Sequence, residues 1–510
     1  MLLVPSRGIR GIAMAAFLMG SAVPAMAQTS APATLTLKEA IDLARRNNPD
    51  YLQQANDGTV ANWAVRDAYG NLLPNAQAGV VYGYQAAGSQ RIGNIPGIEA
   101  SSTDYYSSSA SLNINYSLSG QSLLAPGQAK SNRRATLANI ELAGFNLEAN
   151  VVRQYLAVLR SQETVILAGR ELANAKENEG LADARVATGS AIPMESKQAA
   201  VQVGRAEVGV LQAKNAVQID KMRLMQTMGV QFTGDFQLTT SFGVTDIPGT
   251  LPRFLDIAIA SHPTIRAAHA TDAAAVSSYK MAKTAYLPSL NLSTGWSGFL
   301  RQAGNADFLV GRARSAAVSA QQECVLLLNI SNGLKSPLAG APTSCLLSEF
   351  LPTPDQEAAI RSSNKAFPFK YKGEPINVSM SISLPLFDGF SRERNVQVSR
   401  IAVKDADLRI RSEELRIRTE VGSAYANAST SRQSVDLEAR NRDLAAEQLE
   451  LARERYRVGQ GTFFELNDAQ VVKARADQAY LNAVYSYHEA LTSLETAVGQ
   501  PLTQVTGGNR

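Results

Sequence analysis

Four stretches of the chain alternate between apolar and polar positions. In residues 75–84, Ala76, Ala78, Val80, Tyr82 and Tyr84 interleave with Asn75, Gln77, Gly79, Val81 and Gly83. In 110–118, Leu112, Ile114, Tyr116 and Leu118 interleave with Ser111, Asn113, Asn115 and Ser117. In 289–298, Leu290, Leu292, Thr294 and Trp296 interleave with Ser289, Asn291, Ser293 and Ser297. In 376–386, Ile376, Val378, Met380, Ile382, Leu384 and Leu386 interleave with Asn377, Ser379, Ser381 and Ser383. A period of two puts each set on one face of a strand. A soluble sandwich would alternate too. The polar faces here, however, are uncharged Ser and Asn, which suits a water-filled lumen, and each strand has about the ten residues a tilted membrane strand needs. Tyr82, Tyr84, Tyr116 and Trp296 fall near the predicted strand ends, where aromatic girdles meet the membrane interface. Four strands cannot close a barrel, since the smallest single-chain barrels have about eight. Nor can an open sheet edge stand in lipid, where its N–H and C=O groups find no partner. The pattern therefore predicts a sheet completed by further copies of the chain.

The rest reads as helix. Spans 37–72, 127–187, 193–228, 251–286, 390–457 and 463–498 are dense in Ala, Glu, Gln, Leu and Arg, all good helix formers. No proline lies between Pro126 and Pro193, or between Pro385 and Pro501. As single helices, 127–187 would reach ~90 Å and 390–457 ~100 Å. Leu437, Leu444, Leu451 and Val458 fall seven apart, as do Ile401, Leu408 and Leu415, which is coiled-coil spacing. The long helices turn back at Ala187-Thr188-Gly189-Ser190 and at Val458-Gly459-Gln460-Gly461. A poreless bundle would satisfy the helices alone. Attached to a membrane sheet with a polar face, they predict a continued tube.

The chain is one unit written twice. Leu37-Lys38-Glu39-Ala40-Ile41-Asp42-Leu43-Ala44 with Asn48-Pro49 returns, at an offset of 214, as Leu251 to Ala258 with His262-Pro263. At an offset of 270, Val151, Tyr155, Arg185, Gly189, Glu195 and Gly229 meet Val421, Tyr425, Arg455, Gly459, Glu465 and Gly499. This divides the chain into repeat 1 over 28–250, repeat 2 over 251–500 and a tail over 501–510. The excess of repeat 2 falls in an insertion over 299–375.

Before the repeats, residues 1–27 read as a signal peptide. Arg7 and Arg10 precede an apolar run from Gly11 to Val23, and Ala25-Met26-Ala27 is an A-x-A cleavage site. Gln28 follows, not Cys, so no lipoprotein anchor is expected. The net charge of +4 gives no reason to expect nucleic acid. Two Cys and three His make a poor start for a disulfide scaffold or a metal enzyme. No nucleophile triad, phosphate-cradling glycine loop or zinc spacing is present. The expectation is a non-enzyme that holds neither cofactor nor metal.

Together these features resemble the TolC family of bacterial outer-membrane efflux and secretion channels. The phrase from Leu35 to Ala44 with Asn48-Pro49 is similar to the family's opening. Ser383-Leu384-Pro385-Leu386-Phe387-Asp388-Gly389 is similar to its strand-to-helix exit. Arg455-Tyr456-Arg457-Val458-Gly459-Gln460-Gly461-Thr462, with Phe464-Glu465-Leu466, is similar to its second hairpin tip. The resemblance implies an α+β membrane protein and a homotrimer. Its four strands per protomer would complete a 12-stranded barrel in outer-membrane lipid, continued by an antiparallel coiled-coil α-barrel across the periplasm. It further implies tips that dock on a periplasmic adaptor, or membrane fusion protein, linked to an inner-membrane RND or ABC transporter. The chain would then be the passive exit duct of a tripartite efflux pump or a type I secretion system. The missing lipid-anchor Cys leans toward secretion and general export, again by resemblance. A membrane-anchored binding or adhesion protein working through 299–375 is the alternative.

The resemblance assigns the candidate residues, and each carries a plainer reading beside it. Gly189, Ser190, Gly459 and Gly461 are the docking tips, and Gly189 and Gly459 also suit helix ends. Glu465, Asp468 and Glu195 would narrow the pore, where three copies of Glu465 and Asp468 would make a ring of carboxylates. Thr462-x-x-Glu465 is equally a capping box. Arg185, Arg455 and Tyr456 would tie neighbouring hairpins shut; an ordinary helix surface is the competing reading. Cys324 and Cys345 lie in the insertion, on the side that family topology makes extracellular, and a disulfide is expected there.

Overall fold

The computed structural model describes residues 34–91, 99–231, 235–240, 242–336 and 338–502. Residues 1–27, expected as a signal peptide, and the tail beyond 502 lie outside them. In chain order the elements are β1 (Thr34–Leu35), α1 (Leu37–Asn47), α2 (Pro49–Gly70), β2 (Asn75–Gln85), β3 (Gly88–Arg91), β4 (Glu99–Ser102), β5 (Tyr105–Leu118), α3 (Gly120–Ala187), α4 (Pro193–Met228) and β6 (Gln237–Leu238). They continue with α5 (Leu251–Ser261), α6 (Pro263–Lys283), β7 (Ser289–Ala303), α7 (Ala306–Gly333), α8 (Leu347–Phe350), α9 (Pro354–Ser363), β8 (Lys372–Gly373), β9 (Asn377–Ser383), α10 (Ser391–Arg457) and α11 (Phe463–Val498).

Two expected helices are broken. Instead of 37–72 and 251–286 there are α1 with α2 and α5 with α6, the second pair closing in a short 3₁₀ turn over Thr284–Tyr286. Proline drives the residue before it out of the helical region. Asn48 accordingly sits at ψ 119° and His262 at ψ 131°. The converse error is at α3, which starts at Gly120, not 127, with Pro126 inside it. Ser119 and Ser122 cap each other there, Ser122 N–H donating to Ser119 Oγ at 3.1 Å and Ser119 N–H to Ser122 Oγ at 2.8 Å. Pro126 is the seventh residue of α3, where it lacks the N–H that would otherwise donate back along the helix.

The chain forms two compact units. Of the described residues, one comprises those within 34–56, 139–265 and 413–502. Its interior holds two cores related by the repeat. Ala40, Ala44, Val151, Leu224 and Met228 fill the first, while Phe254, Ala258, Val421, Leu494 and Val498 fill the second at the matching positions. Parallel β1 and β6 border the first core, where the Tyr155 hydroxyl donates to the Leu35 carbonyl at 2.9 Å. The junctions Asn48-Pro49 and His262-Pro263 are pinned alike. Asn48 Nδ2 donates to Thr227 O at 2.9 Å, and its Oδ1 accepts from Tyr51 N–H. His262 Nε2 lies 3.2 Å from Thr496 O, and its Nδ1 accepts from Thr264 N–H at 3.1 Å. An Nδ1 that accepts leaves the proton on Nε2, so the imidazole is neutral. Burial accordingly holds its pKa below the ordinary histidine value.

The other unit, residues 57–138 and 266–412, carries the sheet. Its long strands run antiparallel in the order β2-β5-β7-β9, and β8 adds a short pair to β7. Register aligns the two kinds of position from strand to strand. Ala76, Ile114, Thr294 and Val378 form one row, and Tyr116, Leu292 and Met380 another. Asn75, Asn115, Ser293 and Ser379 form a polar row, in which the Ser293 and Ser379 hydroxyls meet at 2.6 Å. The sheet thus has one aliphatic face and one Ser/Asn face. Val378, Met380 and Ile382 are each about two-thirds exposed, so the aliphatic face is bare in the single chain. Among the described residues, β2 and β9 each have a neighbour on one side only.

The strands outrun the expectation at one end. β5 and β7 pair as far as Tyr105 and Ala303, and β9 stops at Ser383, just before the Leu384-Pro385 pair, where proline cannot donate to the ladder. The insertion is mostly helical rather than loop. Asn305 caps α7 by accepting from Asp307 N–H, and Thr353 with Gln356 forms a capping box for α9. Arg314 and Arg361 on these two helices pair with Glu357 and Asp307. Cys324 on α7 is disulfide-bonded to Cys345.

Candidate functional site at the hairpin tips

Both tips lie in the first unit and close by one recipe. After α3, Gly189 takes φ +73°, and Ser190 N–H donates back to Arg185 O at 2.8 Å. After α10, Gly459 takes φ +82°, and Gln460 N–H donates to Arg455 O at 2.8 Å. The left-handed residue lets the chain reverse while satisfying the last helix carbonyls. An arginine seals each turn, Arg185 donating to Ser190 O at 3.1 Å and Arg455 to Gln460 O at 3.4 Å.

The two halves differ at the next helix start. Thr462 caps α11, and Glu465 completes the box from the third position. Glu465 also stands 3.8 Å from Arg455 and against Gly461. In the first half the equivalent of Thr462 is Ile192, which has no side-chain oxygen, and Pro193 begins α4 without a side-chain cap. Glu195 therefore has no cap to complete. It reaches across to the other hairpin, where its Oε2 accepts a 2.7 Å hydrogen bond from the Tyr456 hydroxyl.

Tyr456 is fully buried. The Arg185 guanidinium lies 4.3 Å from its ring centre and donates to its carbonyl at 2.8 Å. Ala182, Ala199, Leu449, Phe463 and Leu466 pack round it. Burial first, and Glu195 second, push the phenol pKa well above its ordinary value, so it stays a hydrogen-bond donor. One buried side chain thus receives contacts from α3, α4 and α11.

The structure therefore joins Arg185, Tyr456 and Glu195 in one cluster and Arg455 with Glu465 in another. Asp468 stands apart, exposed on α11. Sequence reasoning missed the polar layer behind the tips. Asn178 Nδ2 donates to Gln470, and Arg453 lies 3.5 Å from Glu177, with its Nε and Nη2 buried and without a partner among the described residues. Nothing in the local sequence marks either residue, since each looks like an ordinary helix-surface polar side chain. Among the described residues no three His, Cys, Asp or Glu side chains gather as metal ligands would.

In the sheet unit, Tyr84 and Tyr106 rings pair at 5.1 Å, and Phe367 lies 5.6 Å from Tyr106 and 6.0 Å from Tyr82. Tyr116 stands ten residues along β5 from Tyr106. Trp296 is not near a strand end: β7 runs on to Ala303, which leaves it mid-strand beside Gly298 and Gly373.

A family model described as outer membrane efflux protein matches residues 40–230 and 355–500, both repeats and most of the chain. The chain belongs to the outer membrane efflux protein family. Solved structures agree in fold. The channel CusC is 18% identical, with a TM-score of 0.65 over 91% of this chain and 92% of that one. The outer-membrane channel CmeC of Campylobacter jejuni is 17% identical, with a TM-score of 0.64 over 91% and 85%. The MtrE outer-membrane channel of Neisseria gonorrhoeae, in its open state, is 19% identical, with a TM-score of 0.64 over 91% and 89%. No curated protein matches the chain. As a member of this family the protein is a TolC-like outer-membrane efflux channel and not an enzyme, with its helical part in the periplasm. Residues 231–354, which include α7 and both cysteines, fall outside the family match.

Proposed function

We propose that the protein is the passive exit duct of a tripartite efflux pump or type I secretion system. It would work as a homotrimer fed by a periplasmic adaptor and an inner-membrane RND or ABC transporter. The observation that carries this reading is the sheet: one bare aliphatic face, one Ser/Asn face and two edges without a partner among the described residues. Such a sheet suits lipid on one side and water on the other, and its edges need β2 of one copy to meet β9 of the next. The spacing of the tyrosines on β5 supports the membrane span. Ten residues separate Tyr106 from Tyr116. That is ~33 Å along a strand, or ~25 Å across a membrane at a tilt of about 40°.

The helices support the same assembly. Met194, Val201 and Val208 on α4 are each more than half exposed, as are Leu444 and Leu451 on α10 and Val458 just past its end. Both sets recur every seven residues. Because α4 leaves its tip and α10 enters its own, Met194 falls level with Val458, Val201 with Leu451 and Val208 with Leu444. Two bare antiparallel stripes in register make a head-to-tail seam, which closes into a ring of copies.

Within that ring Arg185, Tyr456 and Glu195 hold the two hairpins of one protomer together at the entrance. Glu465 and Asp468 supply carboxylates to the mouth. Gly189, Ser190, Gly459 and Gly461 present the tips to the adaptor. The mass of the detergent-solubilised complex, corrected for bound detergent, tests the reading. A trimer is expected, and a monomer stable in membranes overturns it.

A further inference from the structure

The helical unit holds two hollows related by the repeat. One, of about 640 Å³, lies at the His262-Pro263 junction, where His262, Thr264, Glu420 and Thr496 line it. The other, of about 760 Å³, lies at the Asn48-Pro49 junction, where Asn48, Asp50, Asn150 and Gln226 line it. These four are the repeat counterparts of the first four, at the offsets of 214 and 270. The hollows differ in what covers them. Over the His262 hollow lies α3 of the other repeat, which brings Phe145, Asn146 and Arg153. The Phe145 ring meets the imidazole edge-on, with 6.2 Å between centres. The Asn48 hollow has no such cover: every described residue that lines it belongs to repeat 1.

Two observations say what covers it. The repeat counterparts of Phe145, Asn146 and Arg153 are Leu415, Arg416 and Ser423 on α10. Leu415 is 58% exposed in the single chain, whereas Phe145 is half-buried. Arg416 carries the charge opposite to that of Asp50, which is exposed at the rim of the hollow. The second observation is the register of the bare stripes. It sets Met194, Val201 and Val208 of α4 level with Val458, Leu451 and Leu444 of the next copy. Continued along α4, it brings Gln226 level with Ala426, less than one turn from Ser423. Repeat and register thus name the same helix. We infer that α10 of a second copy covers the Asn48 hollow, with Leu415 seated on Asn48 as Phe145 is on His262, and with Arg416 facing Asp50. Each hollow is then walled by both repeats, one within a chain and one between chains. This rests on the trimeric reading above.

The test uses the full-length protein in detergent, carrying Asp50→Cys with Leu415→Cys, and a short bis-maleimide. Both positions are exposed in the single chain, so the protomer should fold. Background is low, since Cys324 and Cys345 are bonded and no free cysteine exists. Lys38→Cys with Leu415→Cys is the control: Lys38 is exposed on α1, ten residues or ~15 Å along the helix from its end at Asn48. The expected result is a trimer by mass in which the Asp50 pair moves most of the protein into covalent trimers on a denaturing gel, while the Lys38 pair leaves it as monomers. A bond formed within one chain would add no mass, so covalent trimers report contacts between copies alone. A trimer by mass in which the two pairs cross-link alike, or neither does, overturns this inference and leaves the assembly standing. A complex that is not a trimer overturns the assembly reading and this contact with it.

Discussion

The Tyr456 hydroxyl on α10 donates a 2.7 Å hydrogen bond to the Glu195 carboxylate on α4, joining the two hairpins of one protomer. The bond exists because the repeats diverged at a helix cap. Where Thr462 keeps Glu465 occupied, Ile192 leaves Glu195 available. Tyr456→Phe removes the donor with little change in packing. A hydrogen bond to a charged group contributes about 1.5 kcal/mol or more, and 1.4 kcal/mol is about tenfold in an equilibrium. The variant is expected to open at least about tenfold more often in planar-bilayer recordings. An unchanged open fraction would show that the bond does not hold the entrance.

His262 makes stability depend on pH. Its native pKa lies below the unfolded value of about 6.5. The neutral ring's contribution is therefore complete above that value and is lost as pH falls from about 6.5 toward the lower native pKa. Protonation would place a proton on Nδ1, which now accepts from Thr264 N–H. His262→Asn installs the residue used at the same place in repeat 1. Its Tm should fall less between pH 7.5 and pH 5.5 than that of the wild type. His488, also buried and lowered in pKa, retains part of the slope. Equal slopes in the two proteins would refute the assignment.

Glycine substitutions should rank by surroundings. A Cβ at Gly229 would stand 2.4 Å from Asn47 O, at φ +70°. At Gly189, φ is +73° but nothing lies within 4 Å. Gly189→Ala is expected to cost about 1–2 kcal/mol for the left-handed backbone alone, and Gly229→Ala distinctly more, because backbone must move. Thermal unfolding gives the order, and the reverse order would contradict the packing described at the Asn48 junction.

The strand faces, the repeat and the tips were legible because each follows from a local rule: period two, recurrence, and glycine after a long helix. The breaks at Asn48 and His262 both precede proline, but helix-forming composition on either side hid them. The α3 start was hidden by the opposite signal, Pro126, which lies inside the helix behind a Ser119–Ser122 cap. The role of Glu195 could not be read locally. Its partner stands 261 residues away, and alignment with Glu465 pointed to the pore. The helical insertion was missed because it has no counterpart in repeat 1.

The helix seam can be broken without touching a core. Val208 and Leu444 are exposed in the single chain, so Val208→Glu or Leu444→Glu should leave the protomer folded. Facing each other across the seam, either carboxylate would be buried unpaired, which is strongly unfavourable. Loss of the trimer by mass, with unchanged circular dichroism, is expected. A trimer of wild-type stability would place the seam elsewhere.

Glu465 and Asp468 separate a structural carboxylate from a lumenal one. Glu465 completes the Thr462 cap and sits 3.8 Å from Arg455, whereas Asp468 is exposed one turn further along α11. Glu465→Gln still accepts the cap bond but loses the ion pair, so it should change both tip stability and conductance. Asp468→Asn changes only charge. In a trimer it removes three negative charges from one ring, and a ring of carboxylates favours cations. The reversal potential under a salt gradient should shift toward anions in Asp468→Asn with Tm unchanged. If selectivity stays put in Asp468→Asn and moves only in Glu465→Gln, the filter is the cap itself, and Asp468 is an ordinary solvated residue.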